Sequence, residues 1–189
     1  MVLPTTISQL QHCAPNDLQA DRVSAVLLAL GSNHHAAYYL ARVRENLQEL
    51  GQITLSLPIQ NADFTATIAQ PKPDYTNQCV YLELDTVMSL QQLQQIFKSF
   101  EHKCHRVRES HKTQESNVTL SLSEQPQKTL LPHGWRQVTM DIDILLIQLA
   151  DKPSIQKAQD SWIIMADRYP FKAHEIAGIT DLVATKGLF

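Results

Sequence analysis

The run of residues 138–147 constrains the fold of this chain more than any other stretch, because its composition predicts a strand buried in a sheet. Branched and apolar residues dominate the run, and neither glycine nor proline interrupts it. Side chains alternate between the two faces of a strand, so Asp141 and Asp143 are predicted to project from one face, roughly 6–7 Å apart. Two carboxylates in an apolar strand need a counter-ion, and Mg²⁺, which takes oxygen ligands, often holds substrate phosphates as well. The alternative is that one aspartate lies at the rim of the sheet and the other caps a turn.

The bulk properties of the chain indicate one ordinary globular domain without a general affinity for nucleic acid. The hydrophobic fraction of 43%, the charged fraction of 19% and the length of 189 residues are all typical of such a domain. The net charge is −3, so any phosphate binding must come from a local basic cluster. Three widely spaced cysteines favour a reducing compartment, and no membrane span or signal peptide is recognisable. We therefore expect a cytoplasmic protein.

The order of the predicted elements indicates an α+β fold. Strands are predicted at residues 23–30, 53–57, 78–85, 138–147 and 162–165, and helices at residues 40–50, 89 to about 105 and 174–183. The order strand, helix, strand, strand, helix, strand predicts a ferredoxin-like βαββαβ sandwich with an antiparallel sheet. Residues 1–21 are polar and are expected to form a loosely attached N-terminal extension, which leaves 22–189 as the domain. The polar stretch 109–134 is predicted to be a long mobile loop before the aspartate strand.

Two further segments carry side chains that suit ligand binding. Arg106 and Arg108 follow the second long helix, and their fork-shaped, permanently charged groups suit phosphate, although cations at a solvated helix end are the alternative. Tyr75 offers a stacking face, and Asn77 offers a donor and an acceptor to a flat heterocycle, although both could belong to an ordinary turn. The sequence contains no P-loop, no GxGxxG and no HxxEH motif. The phosphate-binding sites and the zinc site that these motifs form are therefore not expected.

Taken in chain order, the motifs resemble the 6-hydroxymethyl-7,8-dihydropterin pyrophosphokinase family of folate biosynthesis. They are Ala29-Leu30-Gly31-Ser32-Asn33, Pro73-Asp74-Tyr75-Thr76-Asn77, Phe100-Glu101 followed by Arg106-Val107-Arg108, and Thr139-Met140-Asp141-Ile142-Asp143-Ile144-Leu145. The resemblance covers residues 23–182. It implies a ferredoxin-like fold and a Mg²⁺-dependent transfer of a pyrophosphoryl group from ATP to the pterin hydroxymethyl group, which leaves AMP. The expected partners are ATP and the pterin, with no nucleic acid or membrane, and the expected state is a monomer.

The resemblance also implies roles for individual residues. Two Mg²⁺ ions are expected between the ATP phosphates and the metal ligands Asp141 and Asp143. The expected catalytic residues are Arg106, Arg108, Asp141 and Asp143, the pterin contacts are Tyr75, Asn77 and Glu101, and the nucleotide contacts are Arg108, Ile144, Arg168 and Tyr169.

Several positions depart from the family pattern. Val138 stands where the family has an arginine, and Asp167-Arg168 stands where it has Pro-His. The family's second stacking aromatic would fall near Ile176, so stacking on the pterin is expected from one side only. Three functions stay open as a result. The chain is a divergent pyrophosphokinase, a non-catalytic relative that binds a nucleotide or a partner, or an interaction module whose long loop docks a protein.

Overall fold

One sheet with helices packed on both of its faces makes up the architecture of this protein. The computed structural model describes residues 5–63, 66–69, 71–105, 137–150 and 162–187. The strands are β1 (Gln11–Cys13), β2 (Arg22–Ser32), β3 (Gly51–Leu55), β4 (Ile59–Asn61), β5 (Tyr75–Ser89), β6 (Asp141–Leu149) and β7 (Trp162–Met165). The helices are α1 (Thr5–Ser8), α2 (Ala36–Gln48), α3 (Leu90–Lys103) and α4 (Ala173–Lys186), with short 3-10 turns at Pro15–Leu18 and Ala166–Arg168. The predicted α+β class is therefore confirmed.

Strand β2 lies inside the sheet, and its neighbours bring the motif residues together. The strand order is β1-β7-β6-β2-β5-β3, and β4 also pairs with β5. Both β5 and β6 run antiparallel to β2, and Gly31 faces Asn77 on one side and Asp141 on the other. The expectation of an antiparallel sheet is wrong at one edge, because β1 pairs with β7 in parallel.

Alternation along β2 separates two hydrophobic cores. Val26 and Leu28 belong to a buried cluster that includes residues of α2 and α3. Ala25 and Leu27, whose side chains point to the other face of the strand, belong to a second cluster that includes Ile179 of α4. The sheet therefore forms the middle of three layers, because both of its faces are apolar around β2.

Helix α3 begins as the sequence predicted. The Ser89 hydroxyl accepts a hydrogen bond from the backbone N–H of Gln92 at 3.2 Å, and the Gln92 side chain accepts one from the Ser89 N–H at 2.9 Å. This reciprocal capping box satisfies two donors at the helix start. Leu93, Phe97 and Phe100 then form the buried stripe of the helix, and none is more than 6% exposed.

The N-terminal segment is attached more firmly than its polar composition suggested. Strand β1 extends the sheet, with Gln11 opposite Ile163 and Cys13 opposite Met165. The side chain of Ile7 is fully buried, and that of Leu18 is 6% exposed. The domain boundary after residue 21 stays a prediction, but the described part of this segment packs onto the sheet.

Some expectations concern parts of the chain outside the described residues. These are Arg106, Arg108, the loop over 109–134 and its predicted mobility. Strand β6 begins at Asp141, three residues later than predicted, and Val138 instead exchanges hydrogen bonds with Asn33. In the described ranges, no helix is both long and apolar enough to cross a membrane.

Candidate active site

Asp141 and Asp143 lie on the same face of β6, as strand alternation predicted. Met140 and Ile142 point into the buried cluster on the α2 and α3 side of the sheet, with 0% and 7% of their surface exposed. Both aspartates instead line one open cavity at the end of the sheet. The carboxylates therefore reach solvent, while Met140 and Ile142, which alternate with them, build the core.

Asp143 lines two cavities, and the larger has a volume of about 420 Å³ and contains two of the three predicted pterin contacts, Tyr75 and Asn77. Its lining consists of Ala29, Leu30, Gly31, Asn61, Ala62, Asp63, Lys72, Tyr75, Asn77, Asp141, Asp143, Lys172, His174 and Glu175. Asn77 and Asp141 flank Gly31 in the sheet, so the strand register holds these side chains near one another. The Asn77 amide donates a hydrogen bond to Asn61 of β4, which orients it at the cavity wall.

The smaller cavity has a volume of about 170 Å³ and is bounded by α3, β6 and the turn after β7. Its lining residues are Pro15, Gln94, Phe97, Lys98, Glu101, Ile142, Asp143, Ile144, Met165, Asp167 and Arg168. Two predicted nucleotide contacts, Ile144 and Arg168, therefore lie together here. Asp143 lines both cavities, so the two spaces meet at one carboxylate.

The carboxyl group of Asp143 is unusually difficult to ionise. Burial raises its pKa from the ordinary value of 3.8 to about 6, and the neighbouring charge of Asp141 acts in the same direction. Arg168 and Lys172 act against this shift. An Arg168 guanidinium N–H donates to the Asp143 carboxylate at 2.5 Å, yet the pKa of Asp143 stays raised.

Glu175 contacts Arg168 from the other side and lies in the first turn of α4. It is 2% exposed, and its Oε1 accepts a hydrogen bond from the Arg168 guanidinium at 3.4 Å. Its Oε2 accepts one from the Lys172 backbone N–H at 2.7 Å. A single buried carboxylate thus caps the helix and positions the cation that contacts Asp143.

The sequence reasoning missed three cavity residues at the start of α4, which are Lys172, His174 and Glu175. The N-cap of α4 is Lys172 and not a serine, threonine, aspartate or asparagine, so the sequence lacks the capping-box pattern that would have marked Glu175. No local pattern would have marked His174. Burial lowers the pKa of its imidazole, and the cation of Lys172 contributes to the same shift.

Two predicted ligand contacts lie away from their expected neighbours. Glu101 is 3% exposed, accepts a hydrogen bond from the backbone N–H of Ile142 at 3.1 Å and lines the smaller cavity. The structure therefore separates it from Tyr75 and Asn77. Tyr169 lines neither cavity, and its ring instead contacts the ring of His12 edge-on, with centroids 4.4 Å apart.

The donor set on β6 fits Mg²⁺ that shares its coordination with a substrate. Asp141 and Asp143 supply hard carboxylate oxygens, and Mg²⁺ is usually held by one or two carboxylates plus water and phosphate oxygens. Over the described ranges, no group of three or more histidine, cysteine, aspartate or glutamate side chains is arranged to hold a metal by itself. Burial first, and the charge of Asp141 second, raise the pKa of Asp143 despite Arg168, and a divalent cation would favour the ionised carboxylate at this position.

Comparison with known families gives one match that spans most of the chain. The family model described as 7,8-dihydro-6-hydroxymethylpterin-pyrophosphokinase matches residues 27–166. The matched range includes both aspartates of β6, and it leaves out β1 and α4. No curated protein matches the chain.

Proposed function

Because the chain belongs to the 7,8-dihydro-6-hydroxymethylpterin-pyrophosphokinase family, we propose that it transfers the β- and γ-phosphates of ATP, as one group, to 6-hydroxymethyl-7,8-dihydropterin. The family is one of pyrophosphokinases, transferases of folate biosynthesis. The observation that carries the proposal is the meeting of two cavities of different character at Asp143. A transfer between two substrates needs two neighbouring sites and a charged group between them.

We assign the pterin to the larger cavity. Tyr75 offers an aromatic face, and Asn77 offers the amide that a flat heterocycle with ring nitrogens can pair with. The adjacent carboxylates of Asp141 and Asp143 then lie where the hydroxymethyl group of the pterin meets the phosphates. The cations of Lys172 and Lys72 line the same cavity and suit the charge of the diphosphate product.

We assign the nucleotide to the smaller cavity. Phe97, Ile144 and Met165 supply apolar surface for a base, and Lys98 and Arg168 supply cations for phosphates. Glu101 serves as a positioning residue, because its hydrogen bond to the Ile142 N–H ties α3 to β6 next to the aspartates. Tyr169 has no place in this assignment, since its ring is engaged with His12 and Phe171.

Two Mg²⁺ ions held by Asp141 and Asp143 would neutralise the phosphate charge of ATP when bound. In the proposed reaction, the pterin hydroxyl oxygen forms a bond to the β-phosphorus, and the bond from that phosphorus to the oxygen shared with the α-phosphate breaks. AMP leaves with that oxygen, and the hydroxyl proton is released. The contribution of the chain is to align the two substrates and to stabilise charge, which is where catalysis of phosphoryl transfer mainly arises. Arg106 and Arg108 stay proposed phosphate ligands.

The connectivity of the sheet supports the ferredoxin-like assignment. The succession β2, α2, β3, β5, α3, β6 has the strand order β6-β2-β5-β3, and both helices contribute to one core. This matches the βαββαβ pattern predicted from sequence. We propose that β1, β4, β7 and α4 are additions to it.

A second candidate is a relative that binds nucleotide without turning it over. The observation in its favour is the ion pair of Arg168 with Asp143, which places a protein cation against one of the two proposed metal ligands. For catalysis, Arg168 must move from Asp143 towards the nucleotide phosphates as metal binds. A chain in which the pair persists binds nucleotide but releases no AMP.

A turnover assay tests the proposal and separates the two candidates. The protein is incubated with ATP, Mg²⁺ and the hydroxymethyl dihydropterin, and AMP and the pterin diphosphate are quantified by chromatography. We expect both products from the unaltered chain and a loss of about a hundredfold or more in Asp141→Asn and Asp143→Asn, because each removes a proposed metal ligand. Asp85→Asn, at an exposed aspartate of β5, is the matched control and should behave as the unaltered chain. ATP binding without AMP release would contradict catalysis and favour the second candidate.

A further inference from the structure

The N-terminal segment, residues 11–19, contributes a wall of the smaller cavity although it lies outside the family match. Pro15 lines that cavity together with Phe97 of α3 and Met165 of β7. The match to the family begins only at residue 27. This part of the cavity is therefore supplied by a residue, Pro15, that lies outside the range matched by the family model.

The segment is fixed on both sides of the cavity. At its start, Cys13 pairs with Met165 at the end of β7. At its end, the Gln19 carbonyl accepts a hydrogen bond from the Gln91 N–H at 3.1 Å, and two residues further on the Asp21 carbonyl accepts one from the Leu90 N–H at 3.2 Å. These donors belong to the first turn of α3, where a helix has no internal acceptors for its N–H groups. The segment thus links the two elements that flank the cavity.

Pro15 itself is held rigidly between these two anchors. It opens the 3-10 turn, a position that suits the fixed φ of its ring. The Gln19 side-chain amide donates a hydrogen bond to the Pro15 carbonyl at 2.7 Å, and Leu18 of the same turn is buried in the core. Pro15, whose side chain is an apolar ring, therefore borders the cavity from a braced turn.

We propose that Pro15 is a specificity-determining residue, the fixed apolar wall against which the purine base of the nucleotide packs. The inference rests on the proposed function, since it takes the smaller cavity to be the ATP site. A proline ring offers no hydrogen-bond donor, so this wall favours bases by the apolar area they bury. A purine buries more area there than a pyrimidine, and the wall therefore favours ATP over CTP.

Binding experiments on two tryptophan variants test the proposal. Pro15→Trp fills the cavity, and Asn16→Trp places the same ring at an exposed neighbouring position of the same turn. Calorimetry measures binding of the magnesium complex of α,β-methylene-ATP, and fluorescence measures binding of 6-hydroxymethylpterin. We expect Pro15→Trp to weaken nucleotide binding by at least about tenfold, because the filled volume excludes the base. Its pterin affinity and both affinities of Asn16→Trp should stay within about twofold of the unaltered chain.

A third variant tests the base preference directly. Pro15→Gly removes the wall, so the preference for the methylene analogue of ATP over that of CTP should shrink by about threefold. An unchanged preference, or a Pro15→Trp variant that binds the ATP analogue normally, overturns the inference while the proposed function stands.

If Pro15→Trp misfolds and binds neither ligand, amide hydrogen exchange on the unaltered chain tests whether the nucleotide contacts residues 11–19. Bound α,β-methylene-ATP should slow amide exchange in residues 11–19, and unchanged exchange there at saturation overturns the inference. An unaltered chain that binds no α,β-methylene-ATP overturns the proposed function together with it.

Discussion

Asp143 combines three properties at the scale of a single residue. It lines both cavities, its carboxylate pairs with Arg168, and its pKa is raised to about 6. Burial is the first cause of the raised pKa, and the charge of Asp141 is the second. A group that is costly to ionise in the metal-free chain is suited to a divalent cation, because the cation restores the favourable environment of the charge.

The pH dependence of stability tests this account of Asp143. The pKa in the folded chain, about 6, lies above the ordinary 3.8, so the folded state holds the proton more tightly than the unfolded state. The contribution to stability is therefore full below pH 4 and is lost as the pH rises through 6. Without metal, we expect the free energy of unfolding, relative to that of Asp143→Asn, to fall by about 2 kcal/mol from pH 4 to pH 7. Denaturant titrations at each pH measure it.

The control for this titration is Asp85→Asn, which removes an exposed carboxylate of β5. Its stability should follow the pH profile of the unaltered chain. Parallel profiles for the unaltered chain and Asp143→Asn would contradict a raised pKa at Asp143.

At the scale of elements, the start of α3 depends on the cap at Ser89. Ser89→Ala removes the hydroxyl that accepts the Gln92 N–H, and we expect it to lower the free energy of unfolding by about 1 kcal/mol. Ser89→Thr keeps an acceptor oxygen and should lose clearly less. Urea unfolding compares the three proteins, and an equal loss in both variants would contradict a capping role.

The packing of α4 on β5 depends on the absence of a side chain at Gly178. A Cβ built there would lie 2.5 Å from the Cys79 sulfur and 2.8 Å from the Cys79 Cβ. We expect Gly178→Ala to destabilise the protein by about 1–3 kcal/mol, although alanine is the better helix former. Thermal unfolding measures the change.

A double variant shows whether this packing contact is the cause. Cys79→Ala removes the sulfur that the new methyl group would meet, so Gly178→Ala should be less destabilising in that background. Strictly additive effects would show that the two residues do not interact.

At the scale of the whole molecule, residue patterns in the sequence predicted those features of the fold that depend on neighbouring residues in the chain. The shared face of Asp141 and Asp143 follows from the two-residue period of a strand, and the start of α3 follows from its capping box. The attachment of the N-terminal segment to the sheet could not be predicted from the sequence. Strand β1 has three residues, too few for a recognisable period, and its partner β7 lies about 150 residues away in the chain.

The arrangement of the candidate site was only partly predictable for the same reason. Tyr75, Asn77 and the aspartates meet because neighbouring strands fix their register, and the family resemblance had grouped them. Glu101 lines the smaller cavity because its helix, α3, packs on the face of the sheet opposite to α4. The spacing of residues in the sequence does not reveal on which face a helix packs. The pairing of Arg168 with Asp143 likewise depends on how the turn after β7 meets β6.

The central claim is that the two cavities around Asp143 serve the transfer of a pyrophosphoryl group, and the fate of labelled phosphate tests it most directly. Three samples of ATP, each with ³²P at the α-, β- or γ-position, are incubated with Mg²⁺, the hydroxymethyl dihydropterin and the protein, and the products are separated. We expect the β- and γ-labels both to appear in the pterin product and the α-label to appear in AMP. Transfer of the γ-label alone, with release of ADP, or no labelled pterin at all, would contradict the claim.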